Sequence, residues 1–487
     1  MTAADPDGRL NGDLPAATAA EAAALVPDEA VVAVSGFGRV GYPKAVPAAL
    51  ADADRSPSLT VISGGSVGDE LDTALVEAGH VDRRYPFVAT AAAREAVNER
   101  QIAFQDRHIA GLSDDVRTGA LPSPDVAVVE AVAAGEDWFV PSTSIGPTPA
   151  YVAAADAVVV EVNRAQPLAL RRLHDVYRRS PPPDREPLPL RAPGGRIGSA
   201  RVEVDPDALA AVVTTDRRDA PYTFRDPTPD DEAIAANLTA FLREEVVPAP
   251  GLPDRLTLQF GVGSLGNALM GALGDADLGG VELAYFGEVI QDGLLDLLDR
   301  GELEAASATS LALSRDGQER LFANVDRYAE DIVIRPSAVS NSAALVDRFG
   351  VIAVNSAVEV DLYGHANSTH VGGQRLVSGI GGSGDFTRNG LLSVVALPST
   401  AAGGDVSRVV PMVTHPDHTE HDVDVVVTER GTADLRGLSP AERAEQILDC
   451  AAPAFEPALR SYLDEALAEP GHVPHDLDVA FSWTDLG

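Results

Sequence analysis

The chain has 487 residues, 45% of them hydrophobic and 23% charged, and carries a formal charge of −37 at pH 7. That length is about three times a usual single domain, so two domains or one elaborated α/β body are expected. Phosphate binding needs a basic stripe that this composition lacks, and no apolar run reaches the roughly 18 residues of a membrane span, so neither nucleic acid nor a membrane is expected as a partner.

The first 25 residues are Ala- and Asp-rich, without the basic start and apolar segment of a signal peptide, and a soluble cytoplasmic protein is expected. The one cysteine, Cys450, lies in a segment that reads as helix; it cannot form an internal disulfide and reads as a small buried hydrophobe. Of 37 basic residues only Lys44 is lysine, which leaves 36 arginines. Acid dispersed along the whole chain with almost no lysine suits a protein kept soluble in concentrated salt, where the Debye length falls to about 3 Å at 1 M, and a salt-loving host is expected.

In chain order, Val31–Ser35, Leu59–Ser63, Val126–Val129 and Val158–Val162 read as buried strands separated by Gly turns and helical stretches. A Pro-rich stretch beginning Ser180-Pro-Pro-Pro-Asp breaks the pattern, followed by the segment Val202–Thr214 and a second polar stretch from Thr215 to Asp231. The domain boundary is placed near residue 225, giving an N-terminal domain of 1–225 and a C-terminal domain of 226–487. From Asp230 a helix to Val247 is predicted, then strands at Leu256–Phe260, Val281–Phe286, Val351–Val354, Val394–Leu397 and Val423–Val427, and terminal helices from Pro440. Strands alternating with helices imply an α/β fold with mainly parallel sheets covered on both faces, twice over.

Within this frame, Tyr285-Phe-Gly-Glu-Val-Ile-Gln-Asp-Gly293 places Glu288 where an apolar strand gives way to a helix (Leu294–Leu298). A carboxylate at a strand's carboxyl end can attack an acyl group. Gly261, Gly263 and Gly266 form GxGxxG between a predicted strand and helix, which fits a dinucleotide site, but tight glycine turns also expose N–H groups to phosphate or to an oxyanion. The cluster Gly379-Ile-Gly-Gly-Ser-Gly-Asp-Phe386 lets main chain approach a ligand closely, or is a mobile loop. His415-Pro-Asp-His-Thr-Glu-His421 has the residue types of a metal site, yet Pro416 and the strand that follows oppose a regular helix, so a hydrogen-bonded turn without metal is the expectation.

Taken together, several segments resemble the acetyl-CoA hydrolase/CoA-transferase family, whose members include succinyl-CoA:acetate CoA-transferases. They are Gly41-Tyr-Pro-Lys-Ala-Val-Pro47, Glu288-Val-Ile-Gln-Asp-Gly293, Asn367-Ser-Thr-His370, Gly379 to Phe386, Pro411-Met-Val with His418-Thr-Glu-His-Asp-Val-Asp424, and Thr428-Glu-Arg-Gly-Thr-Ala-Asp-Leu-Arg-Gly437. The resemblance implies two CoA-transferase-like α/β domains, a homodimer, and a glutamate, here Glu288, that becomes a CoA thioester. It implies coenzyme A as substrate and covalent intermediate with no tightly bound cofactor, and acyl-CoA and a small carboxylate as partners.

By the same resemblance, Gly261, Val262, Gly263, Ser264 and Leu265, with Gly381 and Gly382, contact CoA and supply oxyanion donors. Asn341 places its amide on the acyl-glutamyl oxygen, or else caps the helix that follows it. Glu429 orients a neighbouring arginine, or else forms a surface pair with Arg430. Lys44 either has a role or is a solvated side chain. Where family members often carry a basic residue before Gly403-Gly404, this chain has Ala402, so an arginine elsewhere would have to meet the CoA phosphates. The acceptor is a carboxylate in a transferase and water in a hydrolase; a CoA- or nucleotide-sensing module, whose glycine loops bind ligand and whose Glu288 is inert, is the non-enzymatic alternative.

Overall fold

The computed structural model describes residues 7–249, 255–468 and 470–480, so the first six residues of the Ala- and Asp-rich start lie outside it. Two compact units are present. The first comprises Met1–Thr223, Phe286–Gln291 and Ala305–Leu345; the second comprises Phe224–Tyr285, Asp292–Glu304 and Val346–Gly487.

In the first unit, β1 (Glu29–Val34), β2 (Ser58–Ile62), β3 (Val81–Tyr85), β4 (Ala103–Phe104), β5 (Val126–Gly135), β6 (Ala157–Asn163) and β7 (Leu209–Thr215) form a parallel sheet in the order β7-β6-β5-β1-β2-β3-β4. Both faces are covered. Val32 and Val34 of β1 enter one apolar core with Leu59, Val61, Val128 and Val159, while Ala33 between them enters another with Ile62, Tyr151 and Leu112. Alternate side chains of a strand point to opposite faces, so a sheet buried on both sides reads as a continuous apolar run, which is how β1, β2, β5 and β6 read.

The strand β3 does not read that way, because Val-Asp-Arg-Arg-Tyr carries three charged residues in five. It is admitted to the sheet because Arg84 is buried against Asp72, its Nε 2.9 Å from Oδ1. The segment Val202–Thr214 is divided in two. Asp205 caps a turn in which Ala208 N donates to its carbonyl (3.0 Å) and Asp207 N to its side chain (3.0 Å), and this turn separates Val202–Glu203 from β7.

The later segments of this unit add two short parallel pairs, Val289–Ile290 with Ser310–Leu311, and Ala306–Ala308 with Ile332–Ile334. Beside the second pair lies Arg335, fully buried. Its Nε donates to Ser307 Oγ (2.8 Å), its Nη2 to the carbonyls of Pro193 (2.9 Å) and Gly195, and its Nη1 to Asp175.

In the second unit, β8 (Arg255–Phe260), β9 (Glu282–Phe286), β10 (Val351–Asn355), β11 (Leu392–Ala396), β12 (Val425–Val427) and β13 (Thr432–Asp434) lie in the order β9-β8-β10-β11-β12-β13. All neighbours are parallel except β13, which returns antiparallel on β12. Val395 and Val426 pack with Ile447, Leu459 and Leu463 of the terminal helices Pro440–Leu448 and Glu456–Leu467. The first of these helices starts at a capping box between Ser439 and Glu442. Cys450 lies in this core and burial pushes its thiol up to about 12, which leaves it unreactive at neutral pH.

The expected α/β architecture with mainly parallel sheets is the one the chain adopts. Among the described residues, no helix is long and apolar enough to cross a membrane.

Candidate active site

Glu288 follows β9 by two residues, and its main chain is pinned on both sides. Gly287 N donates to Ser307 O (2.9 Å), and the Glu288 carbonyl accepts from Thr309 N (2.9 Å), Ser310 N (3.1 Å) and Ser310 Oγ (3.3 Å). The side chain is half-buried, and its Oε1 accepts a hydrogen bond from Asn341 Nδ2 at 2.8 Å. Asn341 is fully buried at the C-cap of the one-turn helix Ser337–Ser340, and its Oδ1 accepts from Ser340 Oγ (2.8 Å). A hydroxyl donor on Oδ1 fixes which end of the amide is the NH2, so it is the donor end that faces the carboxylate. The side chain thus presents its donor end to Glu288. A carboxylate hydrogen-bonded on a pinned backbone has a restricted orientation, which an entropy-limited nucleophilic step requires.

The glycine turns lie in the second unit. Gly261-Val262-Gly263 joins β8 to the helix Ser264–Asp275, with Gly263 at φ +144°, a conformation that side-chain-bearing residues rarely adopt. Val262 is 44% exposed, and Ser264 and Leu265 are half-buried in the first helical turn, where N–H groups have no intrahelical acceptor. Gly381, at φ +55°, and buried Gly382 precede the short helix Ser383–Thr387. One buried amide pair supports both turns. Gln259 and Asn355 exchange two hydrogen bonds of 3.2 Å, and Asn355 Nδ2 also donates to Thr387 Oγ1 (3.3 Å).

Glu429 stands just past β12, with its side chain only 7% exposed. Ser399 N donates to Oε2 (2.8 Å), Ser399 Oγ donates to Oε1, and Arg430 Nε lies 3.0 Å from Oε1. The carboxylate is buried, whereas the arginine it meets is half-exposed. Ser399, three residues past β11, is not legible in the sequence, because a serine after a strand carries no signal.

The three histidines of His415–His421 face different surroundings. The His415 ring packs on His370 at 4.0 Å between centroids, His418 is buried with Nε2 3.4 Å from Ser383 Oγ, and His421 is exposed. Among the described residues, no group of three or more His, Cys, Asp or Glu is disposed to hold a metal ion. A cavity of about 520 Å³ in the second unit is lined by Asn267, Asp292, Asp296, Asp299 and Arg300; three carboxylates against one arginine make it a poor receptor for CoA phosphates.

Lys44 is not solvated. It is 2% exposed, with Nζ 2.5 Å from Glu130 Oε2, 2.8 Å from Asp219 Oδ1 and 2.8 Å from the Tyr42 carbonyl. Burial pulls its pKa down, but Asp219 and Glu130 outweigh this and hold it protonated well above the ordinary lysine range. Burial also pushes Glu130 up to about 7 against the pull of Lys44.

Models of two families match the chain: the acetyl-CoA hydrolase/transferase N-terminal domain over residues 15–213 and the acetyl-CoA hydrolase/transferase C-terminal domain over residues 317–463. The chain belongs to the acetyl-CoA hydrolase/transferase family. It is therefore an enzyme, a CoA-transferase or an acyl-CoA hydrolase, as its motifs implied. It is 40% identical over 473 residues to the succinyl-CoA:acetate CoA-transferase of Clostridium kluyveri, covering 96% of this chain and 88% of that protein. To the acetyl-CoA hydrolase of Candida glabrata it is 39% identical over 476 residues, covering 92% and 89%. The crystal structure of RipA from Yersinia pestis shares the fold, with a TM-score of 0.70 at 22% identity over 93% of this chain and 97% of that one. Asn341, Gly381, Gly382 and Glu429 fall inside the C-terminal acetyl-CoA hydrolase/transferase match; Gly261–Leu265 and Glu288 fall between the two matches.

Proposed function

We propose that the protein is a CoA-transferase that moves CoA from acetyl-, propionyl- or succinyl-CoA to a small carboxylate such as acetate, through a glutamyl-CoA thioester on Glu288. The observation that carries this reading is the 2.8 Å hydrogen bond from buried Asn341 to the Glu288 carboxylate. With an unperturbed carboxylate pKa of about 4.3 the class is ionised at neutral pH and nucleophilic. Attack of Glu288 on the thioester carbonyl forms an acyl-glutamyl anhydride and expels CoA thiolate. The thiolate then attacks the glutamyl carbonyl, forming the thioester and releasing the first carboxylate. A second carboxylate runs these steps in reverse, so the thioester energy is conserved without ATP.

Each attack passes through a tetrahedral oxyanion, and one well-placed donor is typically worth about 2.7–4 kcal/mol there. To Asn341 we assign the amide on the acyl-glutamyl oxygen. Gly261, Val262, Gly263, Ser264, Leu265, Gly381 and Gly382 are assigned CoA contacts and main-chain donors, and Glu429 the orientation of Arg430. We place the boundary between the two halves of the sequence near residue 225, close to where the chain changes unit at Thr223–Phe224. The working form is a cytoplasmic homodimer in acetate metabolism.

The second reading, acetyl-CoA hydrolase with water as acceptor, is favoured by the similarity to the Candida glabrata protein. Incubating acetyl-CoA with the enzyme in molar salt, with and without acetate, propionate or succinate, separates the two. A new acyl-CoA that forms only with an added carboxylate is the expected result. Free CoA released at one rate whatever is added would replace the transferase with the hydrolase.

The charge of −37 supports a salt-loving protein. Circular dichroism is expected to show loss of structure on dialysis from molar salt into dilute buffer, and full stability there would end that part of the reading.

A further inference from the structure

Lys44 is the one lysine among 37 basic residues, and it is buried where a compact ammonium is needed. Its three N–H donors meet three acceptors: Tyr42 O, Glu130 Oε2 and Asp219 Oδ1. Arginine, with a planar fork of five donors, does not fit that demand, so a chain that uses arginine everywhere else keeps lysine here.

The two carboxylates that Lys44 pairs with hold the segment Ser142–Gly146. Glu130 Oε1 accepts from Ser142 Oγ (2.6 Å), and Asp219 accepts from Thr143 Oγ1, from Gln166 Nε2 (2.9 Å) and from Gly41 N (3.2 Å). That segment carries both halves of the Glu288–Asn341 pair. Thr143 O accepts from Leu311 N (3.0 Å), Ile145 N donates to Thr309 O (2.9 Å) and Gly146 N to Thr309 Oγ1 (2.9 Å), and the amides of Thr309 and Ser310 grip the Glu288 carbonyl. On the other side, Gly146 O accepts from Ser337 N (2.9 Å), the first residue of the helix that ends at Asn341.

We propose that Lys44, through Asp219 and Glu130, is a positioning residue that sets the Glu288–Asn341 geometry by clamping Ser142–Gly146. This rests on Glu288 being the nucleophile, and it adds a residue that touches no substrate. Removing the ammonium leaves two buried carboxylates without a counter-charge. They repel, Thr143 loses its anchor, and the strand that grips Glu288 shifts. A misplacement of about 1 Å in a reacting group costs on the order of 10²-fold in rate.

The test compares Lys44→Met and Asp219→Asn with wild type in molar salt. Steady-state kinetics, thermal unfolding and the rate at which acetyl-CoA adds CoA to the peptide containing Glu288 are followed by mass spectrometry and absorbance. Expected is a loss in kcat and in adduct formation of roughly 10- to 100-fold for Lys44→Met, and less for Asp219→Asn, which keeps an acceptor for Thr143, with KM for acetyl-CoA within about 2-fold. Adduct formation at the wild-type rate per folded molecule would overturn the proposal, as would loss of the folded protein in both variants, which would mean that the network serves the fold alone. If wild type itself forms no adduct, the nucleophile assignment fails instead.

Discussion

Replacing Glu288 by Ala is expected to lower turnover by roughly 10⁴-fold or more, the scale of losing a covalent nucleophile. The effect should fall on both transfer and hydrolysis, because both begin with attack on the thioester. The backbone has little reason to collapse: the bonds from Thr309 and Ser310 reach the Glu288 carbonyl, which alanine retains. What alanine removes is the acceptor for Asn341 Nδ2, and weakening a buried polar group's bonding costs about 1–3 kcal/mol. Glu288→Gln keeps an oxygen facing that amide and should recover most of this stability while staying inactive. Wild type incubated with acetyl-CoA should carry the mass of CoA on the peptide containing Glu288, and neither variant should. Full turnover by the alanine variant would remove Glu288 from the mechanism.

Asp175→Ala is expected to be the most damaging single change to stability, at about 3–5 kcal/mol, the range for removing one partner of a buried ion pair. Arg335 is fully buried, and burial lowers its pKa to about 10 against the opposing effect of Asp175. Without the carboxylate, the guanidinium stays in the interior with carbonyls and a hydroxyl but no counter-charge. The same deletion takes the acceptor from Ile197 N (2.8 Å) and Gly198 N (2.6 Å). Denaturant melts of wild type, Asp175→Ala and the double variant Asp175→Leu/Arg335→Met measure this. The double variant should lose less than the single one, since it leaves no charge behind. A single-variant loss below about 1 kcal/mol would mean that water reaches Arg335.

The parts legible in the sequence are those in which one physical demand dominates. Strands buried on both faces must be apolar, so β1, β5 and β10 announce themselves, and a lone carboxylate after an apolar strand draws attention to Glu288. What stays hidden is polar chemistry satisfied at long range. Val81–Tyr85 looks like a loop until Asp72 is seen to neutralise Arg84. Asp219 sits in a stretch that reads as linker, yet it is 3% exposed and ties Lys44 to Thr143. Thr309 and Ser310 carry no signal because their amides, which every residue type has, grip the Glu288 carbonyl, and their hydroxyls bond to main chain distant in sequence. The spacing within His415–His421 misleads for a related reason: without a helix, neighbours in sequence turn to different surroundings, His418 inward and His421 to solvent.

The path of the chain through its two units bears on how such an enzyme can be rebuilt. The polypeptide belongs to the second unit up to Tyr285, to the first for Phe286–Gln291, to the second again for Asp292–Glu304, and to the first from Ala305 to Leu345. A six-residue island carrying Glu288 is thus inherited with the second half of the gene but belongs to the first unit. Recombination between two family members at any one point from 224 to 345 gives a hybrid in which at least one unit is drawn from both parents, and its interior must knit side chains that were selected apart. Specificity is then most readily altered by point changes inside a unit, and least readily by exchanging halves.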